Sequence, residues 1–182
     1  EDAAEIAPVG IVSRGEVEDH PVTLSVPRLS VMMTTDVGEV PAAGHVVTYT
    51  VTVTNTGDVP FTSDNRAYVY NAYAGVDDDA VLGTPTSSVP GDASGQELAQ
   101  RLQWWEGPIP VGGHVTFTLP VVMRTGDPGD LVLRNQVRVS TTELTDSAPT
   151  APCEPEEVAE GGCVTHELFR VGLDVTKQAF RK

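Results

Sequence analysis

Residues 45–57 read HVVTYTVTVTNTG, and this stretch decides the fold. Apolar residues at positions 47, 49, 51 and 53 alternate with threonines at positions 48, 50, 52 and 54. A period of two is that of a strand with one buried face and one solvated face. Residues 46–54 are all β-branched or aromatic, which also favours a strand. Asn55, Thr56 and Gly57 tolerate a tight turn, so we expect the strand to end there.

The other apolar stretches are short and separated by turns rich in glycine and proline. A second alternating stretch runs from His114 to Met123, with Pro120 expected at an edge or a bulge. A third, residues 131–139, has its apolar face interrupted by Asn135, which we expect to cap backbone groups as Asn55 does. Gly126 to Asp130 has the composition of a hairpin-type turn between the two. About seven or eight such strands and no long helix predict a two-sheet β-sandwich, with a closed barrel as the alternative.

The bulk composition limits the partners. The chain has 182 residues, enough for one sizeable β domain or two small ones, and a formal net charge of −15. Such a charge repels phosphate backbones and anionic lipid, which argues against nucleic acid as a partner and against membrane insertion. No apolar run is long enough for a transmembrane helix. The acidic start is unlike a signal peptide and fits a mature chain or an excised fragment.

Two cysteines, Cys153 and Cys163, flank a polar, acidic loop. A pair in this setting predicts a disulfide, and hence an oxidising, extracellular location. Two free thiols are the alternative. A zinc site is favoured less, because the spacing of the cysteines and of the four scattered histidines matches no metal template.

Carboxylate runs and aromatic residues are the remaining candidates for chemistry. Asp77, Asp78 and Asp79 offer hard oxygen ligands for Ca²⁺, but no calcium-loop pattern surrounds them, and we expect a solvated turn instead. The glutamates from 154 to 160 are interpreted in the same way. We therefore assign no metal, no cofactor and no catalytic residue; no nucleophile elbow accompanies the serines and histidines.

Adjacent residues of a strand point to opposite faces, so one ring of the pair Trp104-Trp105 must point inward and the other outward. We expect Trp104 to lie in the core beside Tyr49, and Trp105 to be exposed. Trp105 and Tyr70 are then the candidate ligand-binding residues, in an aromatic platform for sugar with the neighbouring tyrosines 68 and 73. Packing under a loop is the alternative.

Two internal similarities indicate modules. The turn and strand beginning at Pro41 resemble those beginning at Pro110, and residues 29–33 (LSVMM) resemble residues 173–177 (LDVTK). We therefore predict an acidic segment at 1–27 that contains the closing strand of a preceding module, a main module at 28–170, and the start of a following module or a tail strand at 171–182.

These stretches resemble the Ig-like repeats of unknown function in secreted and cell-wall proteins of Gram-positive bacteria, especially actinobacteria. The opening strand at 29–33, the strand at 44–57, the Leu-x-Trp segment at 102–104, the Pro-x-Gly turn at 110–113 and the Leu-x-Asn-x-Val segment at 133–137 follow in the family's order. The actinobacterial variety also carries a late cysteine pair. Some Gram-positive surface domains join the opening strand's lysine to an Asn or Asp, but here that position is Met33, and Lys177 is the first lysine of the chain.

The resemblance implies an all-β, Ig-like two-sheet sandwich with Greek-key-type connections and no enzymatic activity. We therefore expect a structural module of an extracellular or cell-surface protein, acting as a stalk, fibre or adhesin unit. Its expected partners are neighbouring modules or copies of itself, joined head to tail or by strand addition, together with a glycan or host-surface ligand. The alternative is a carbohydrate-binding module.

Overall fold

The computed structural model describes residues 24–126, 129–144 and 148–169. Its strands are β1 (Leu29–Thr35), β2 (Val46–Asn55), β3 (Ala67–Gly75), β4 (Ala80–Leu82), β5 (Thr86–Ser87), β6 (Ala93–Glu97), β7 (Leu102–Gly107), β8 (His114–Met123), β9 (Val132–Ser140) and β10 (Cys163–Phe169). A 3-10 helix at Ala148–Thr150 and the five-residue α1 at Pro155–Ala159 are its helices. No helix of the described part is long and apolar enough to span a membrane.

The strands form two antiparallel five-stranded sheets. One has the order β1-β2-β8-β4, with β5 also paired to β8, and the other has the order β10-β9-β3-β7-β6. The predicted all-β, two-sheet sandwich is confirmed. This arrangement matches that of immunoglobulin domains. The spatial order β1-β2-β8-β4 corresponds to strands A-B-E-D, and the order β10-β9-β3 corresponds to strands G-F-C. The β6–β7 hairpin is inserted before β8 and extends the second sheet beside β3.

The first alternating stretch behaves as predicted. Residues 47, 49, 51 and 53 are at most 5% exposed, while the threonines between them are half-buried. On one side β2 pairs with β1, and on the other with β8 over nine consecutive residue pairs, from Val46 to Thr54. Pro120 lies opposite a gap between β4 and β5, where the Gly83 amide donates to its carbonyl at 2.7 Å. The ladder is interrupted there, so the missing N–H of proline is tolerated.

The two inward asparagines differ. Asn55 donates to the carbonyls of Val59 and Ile109 and accepts from the Gly57 amide, so it caps the backbone as predicted. Among the described residues, the Asn135 side chain makes one hydrogen bond, from its Nδ2 to the thioether of Met33, so the prediction that it caps backbone groups is wrong. It lies in the middle of β9, where the sheet already uses the neighbouring backbone groups.

Some local predictions need correction or lie outside the described residues. The glycines, prolines and serines of residues 83–97 predict a loop, but this segment contains the short strands β5 and β6. The segment at 126–130 is not a hairpin turn, because it connects β8 in one sheet to β9 in the other. The predicted strand at 171–182 and most of the 1–27 segment lie outside the described residues. Residues 24–27, at the end of the 1–27 segment, are described and form no strand.

The chain enters and leaves the sandwich at opposite ends. Leu29 begins β1 opposite Asn55, the last residue of β2. Phe169, the last residue of β10, accepts a hydrogen bond from the amide of Val40, beyond the far end of β1. The seven residues of β1 therefore separate entry from exit, a distance of roughly 20 Å or more.

Candidate functional site

The tryptophan pair has the opposite orientation to the prediction. Trp105 is 5% exposed and meets the ring of Phe117 edge-on, with the ring centroids 5.4 Å apart. It pairs with the inward-facing Val69 of β3, and this register fixes its side. Trp104 therefore points out of the sandwich and is half-buried. Leu102 shares a face of the strand with Trp104, and its hydrophobicity predicts that this face points inward. Leu102 is instead buried on the outer face of the sheet and not in the core between the sheets.

The outward tryptophan contributes to a groove of about 320 Å³ on the outer face of the second sheet. Trp104 lies directly across from Tyr70 in the β3–β7 ladder. The rings of Tyr70 and Tyr68 are parallel within 4°, with centroids 6.4 Å apart. A Cβ atom at Gly95 would lie 2.8 Å from the Trp104 ring, so glycine lets the indole lie close against β6. Three aromatic rings thus share one patch of the surface.

Polar groups surround these rings. Glu97, Gln100, Glu106 and Glu143 line the groove, with Leu144 and Pro149 on the side of the 141–149 segment. The Tyr70 hydroxyl accepts a hydrogen bond from the Leu144 amide at 3.2 Å, and only 8% of Tyr70 is exposed. Burial raises the pKa of Tyr70, while this hydrogen bond opposes the shift. Tyr68 and Trp104 therefore present the accessible ring surface, beside carboxylates that accept hydrogen bonds.

A second cavity, of about 290 Å³, opens between the sheets where β5 faces the β6–β7 hairpin. Its wall is mainly apolar and includes Trp105, Phe117 and Val51. Within this cavity the Nδ2 atom of Asn71 donates to the Oε1 atom of Gln103 at 3.1 Å. The Oδ1 atom of Asn71 has no hydrogen-bond partner among the described residues. Trp105 and Tyr70, the predicted ligand-binding pair, thus both border cavities, but neither is an exposed platform. Their binding role stays a prediction.

Cys153 and Cys163 form a disulfide. The loop that they close contains α1 and lies on the outer face of β9, where Arg138 is 5% exposed. The Arg138 guanidinium donates to the Pro152 carbonyl and to the Glu157 carboxylate, both at 2.9 Å. The disulfide and the ion pair between buried Arg138 and the partly exposed Glu157 therefore fix the same loop on the sheet.

The acidic run at 77–79 is divided by the fold. Asp77 forms an ion pair with Arg101 at 3.0 Å. Asp78 and Asp79 instead meet Asp130, from the β8–β9 connection, with one carboxylate oxygen of each within 4.8 Å of the others. Asp130 was missed because nothing local in the sequence relates it to residues 78–79. Burial raises the pKa of Asp79, the Leu131 amide acts against this, and the charges of Asp78 and Asp130 add to it.

The described histidines do not come together. His45 and His114 lie at opposite ends of the β2–β8 pair, and His20 is outside the described residues. His166 faces the core, where its ring meets that of Tyr49 edge-on at 6.2 Å. Burial raises the pKa of Tyr49, whose hydroxyl has no hydrogen-bond partner among the described residues.

Comparison with known proteins gives a family. Residues 30–168 match the sequence model of a domain of unknown function, DUF7927. No curated protein matches the chain. Among solved structures, one titled "AvmM Catalyzes Macrocyclization in Alchivemycin A Biosynthesis" is similar at 11% sequence identity and a TM-score of 0.45. The similarity covers 82% of this chain and 93% of that one.

Proposed function

Because the chain belongs to the DUF7927 family, a domain of unknown function, we propose a function from its geometry. In this proposal the chain is a non-catalytic structural module of a bacterial extracellular surface protein, where it serves as a stalk, fibre or adhesin unit. The bacterial surface context comes from the resemblance to Gram-positive Ig-like repeats in the order of the strand motifs. No activity accompanies those repeats.

The observation that carries this proposal is the position of the two ends. Leu29 enters at one end of β1, and Phe169 leaves beyond the other. Consecutive modules connected in this way follow one another along an axis instead of folding back. A pulling force between the ends would act along the strands and load the β1–β2 and β9–β10 ladders in shear, so that many backbone hydrogen bonds resist together.

The disulfide supports the extracellular part of the proposal. Disulfides persist in oxidising compartments and are rare in the cytosol. The bond between Cys153 and Cys163 closes a loop at the edge of the sandwich and does not cross the core, so it stabilises the surface of β9 and β10. A module exposed to proteases benefits from a fixed loop at this place.

Single-molecule force spectroscopy tests the mechanical role. We expect a higher unfolding force when the full chain is pulled from its two ends than when it is pulled through attachments at Asp64 and Val111. Both control positions lie at the entry end, near Asn55, so that force peels connections apart one after another. Equal forces in the two geometries would contradict a load-bearing function.

We further propose that the partners are neighbouring modules or copies of the chain, joined head to tail, with the 171–182 segment as the connecting strand. Its Leu-x-Val-x-Lys pattern is that of an opening strand, and unpaired strands invite pairing. Light scattering on the full chain and on a chain ending at Arg170 tests self-assembly. Identical monomeric masses at high concentration would rule out self-assembly through this segment and leave a covalent string of modules.

The aromatic groove favours a second candidate function, a carbohydrate-binding module. Sugars present an apolar face that stacks on aromatic rings and hydroxyls that donate to carboxylates. Tyr68 and Trp104 supply the rings, and Glu97 and Glu143 supply acceptors on the rim, while the Glu106 carboxylate is ion-paired with Arg66 at 2.6 Å. The ligand is then a neutral or basic glycan, because the acidic rim repels an acidic one.

A glycan array decides between the two functions. We expect binding that is lost in Trp104→Ala and kept in Phe169→Ala, a change of an exposed aromatic residue outside the groove. An array without any ligand for the wild-type chain, or equal binding by the two variants, would remove this second function and leave the structural one.

A further inference from the structure

Three aspartates from two connections converge at the exit end of the sandwich. Asp78 and Asp79 lie in the turn between β3 and β4, which crosses from the second sheet to the first. Asp130 lies in the connection from β8 back to β9. One oxygen of each carboxylate is within 4.8 Å of the others. Like charges repel at such distances, so either a cation or a proton shared between Asp79 and Asp130 lowers the repulsion.

Asp79 provides an independent observation at this place. It is completely buried, with 0% exposure, although an ionised carboxylate is costly to bury without a partner. Its Oδ1 accepts a hydrogen bond from the Leu131 amide at 2.8 Å, but its Oδ2 has no hydrogen-bond partner among the described residues. A buried carboxylate oxygen without a donor, beside two further carboxylates, is chemically suited to ligate a cation.

None of the described arginines forms an ion pair with the cluster, and Arg134 feels the charges of Asp78 and Asp130 only at longer range. Arg101 pairs with Asp77, and Arg134 pairs with Glu167. Arg124 donates to the backbone carbonyl of Asp77. Within residues 24–126, 129–144 and 148–169, no arginine comes within ion-pair distance of Asp78, Asp79 or Asp130.

We propose that Asp78, Asp79 and Asp130 bind a Ca²⁺ ion that ties the β3–β4 turn to the β8–β9 connection. Ca²⁺ takes hard oxygen ligands at 2.3–2.6 Å, so two ligand oxygens lie up to about 5.2 Å apart, which accommodates the observed spacing. It accepts irregular geometry and completes its shell with backbone carbonyls and water. Mg²⁺ prefers a near-ideal octahedron and keeps more of its water, so a cluster of three carboxylates on two loops suits it less.

The ion would join two connections outside the hydrophobic core, and so link the two sheets at the exit end of the sandwich. Both connections pass from one sheet to the other, and β9 begins directly after Leu131. Binding at the folded state alone stabilises it by RT ln(1 + c/Kd), where c is the free Ca²⁺ concentration, so the stabilisation keeps rising with free Ca²⁺ after the site is full. This inference is independent of the proposed structural function, since it concerns stability and metal binding alone.

Thermal unfolding of the full chain in EDTA and in increasing CaCl₂ tests the proposal. We expect one Ca²⁺ per chain at this cluster by isothermal titration calorimetry, and a Tm that rises by about 3–5 °C for each tenfold increase in free Ca²⁺ above the Kd. MgCl₂ at the same concentrations should raise the Tm less. A Tm that is the same in EDTA and in millimolar CaCl₂ would overturn the proposal.

Variants locate the ion. Asp78 and Asp130 are exposed, so Asp78→Asn and Asp130→Asn should fold, and each should abolish most of the Ca²⁺-dependent rise in Tm. Asp64→Asn, near the start of β3 and so at the other end of the sandwich, and Glu156→Gln, in the acidic disulfide loop, should respond to Ca²⁺ as the wild type does. A full response in both Asp78→Asn and Asp130→Asn would also overturn the proposal, by placing the ion elsewhere.

Discussion

The Nδ2 atom of Asn135 lies 3.4 Å from the Sδ atom of Met33, so an amide on β9 faces a thioether on β1 across the core. Asn135 is 0% exposed, and its Oδ1 has no hydrogen-bond partner among the described residues. In the repeats that the chain resembles, lysine stands where Met33 does. A thioether carries no amine, so this contact cannot become an amide crosslink. The Asn135 amide donates here to a weak acceptor.

Replacing this asparagine should stabilise the protein. In Asn135→Leu the unsatisfied oxygen disappears and the branched side chain stays, so we expect the free energy of unfolding to rise by about 1 kcal/mol. Urea denaturation measures it. Met33→Leu is the control, since it removes only the thioether and should change stability by less than about 1.5 kcal/mol. A loss of stability in Asn135→Leu would mean that the amide has a partner, such as a buried water.

The same substitution at the other inward asparagine should have the opposite sign. Asn55→Leu leaves the carbonyls of Val59 and Ile109 and the Gly57 amide without the bonds that Asn55 makes. We expect a loss of about 2–4 kcal/mol in the free energy of unfolding. Asn65→Ala, an exposed change in the connection that follows, should stay within about 0.5 kcal/mol of the wild type. Equal effects of the two would show that Asn55 does not cap this strand end.

Substitutions of Trp104 and of Trp105 should differ in their effects on stability and on fluorescence. Trp105→Ala removes a large side chain from the core and should cost about 3–5 kcal/mol, while Trp104→Ala should cost clearly less. In the conservative variants, Trp104→Phe should leave the blue-shifted emission of a buried indole, and Trp105→Phe should leave a red-shifted one. The reverse assignment of the two spectra would restore the orientation predicted from the sequence.

Removing the disulfide should loosen the loop around α1. We expect the double variant Cys153→Ala/Cys163→Ala to lose about 3 kcal/mol, the chain-entropy value for a loop of this length. Wild-type protein under reducing conditions is the matched comparison and should lose about the same. The unreduced protein should be two hydrogens lighter by mass spectrometry than the reduced one. Two alkylatable thiols in freshly secreted material would contradict the disulfide and the extracellular location inferred from it.

The sequence by itself determined the long strands, the all-β sandwich and the buried face of β2, but not the short strands β5 and β6. Alternation is local: whether residues 47, 49, 51 and 53 share a face follows from the geometry of one strand, whatever it pairs with. The disulfide could also be predicted from the sequence, because its two cysteines are ten residues apart and their pairing does not depend on distant parts of the chain. Asn55 was interpreted correctly for the same reason, because its turn is adjacent to it.

Only the tertiary structure decided which tryptophan is buried, how the aspartates group and what Asn135 contacts. Alternation shows that Trp104 and Trp105 point to opposite faces, but the pairing of Trp105 with Val69 selects the side, and a shift of one residue would reverse it. Asp130 reaches Asp78 and Asp79 because two separate connections cross between the sheets at one end. Met33 and Asn135 meet because their sheets face each other. Each of these relationships depends on residues far apart in the chain, and no periodicity within one segment records them.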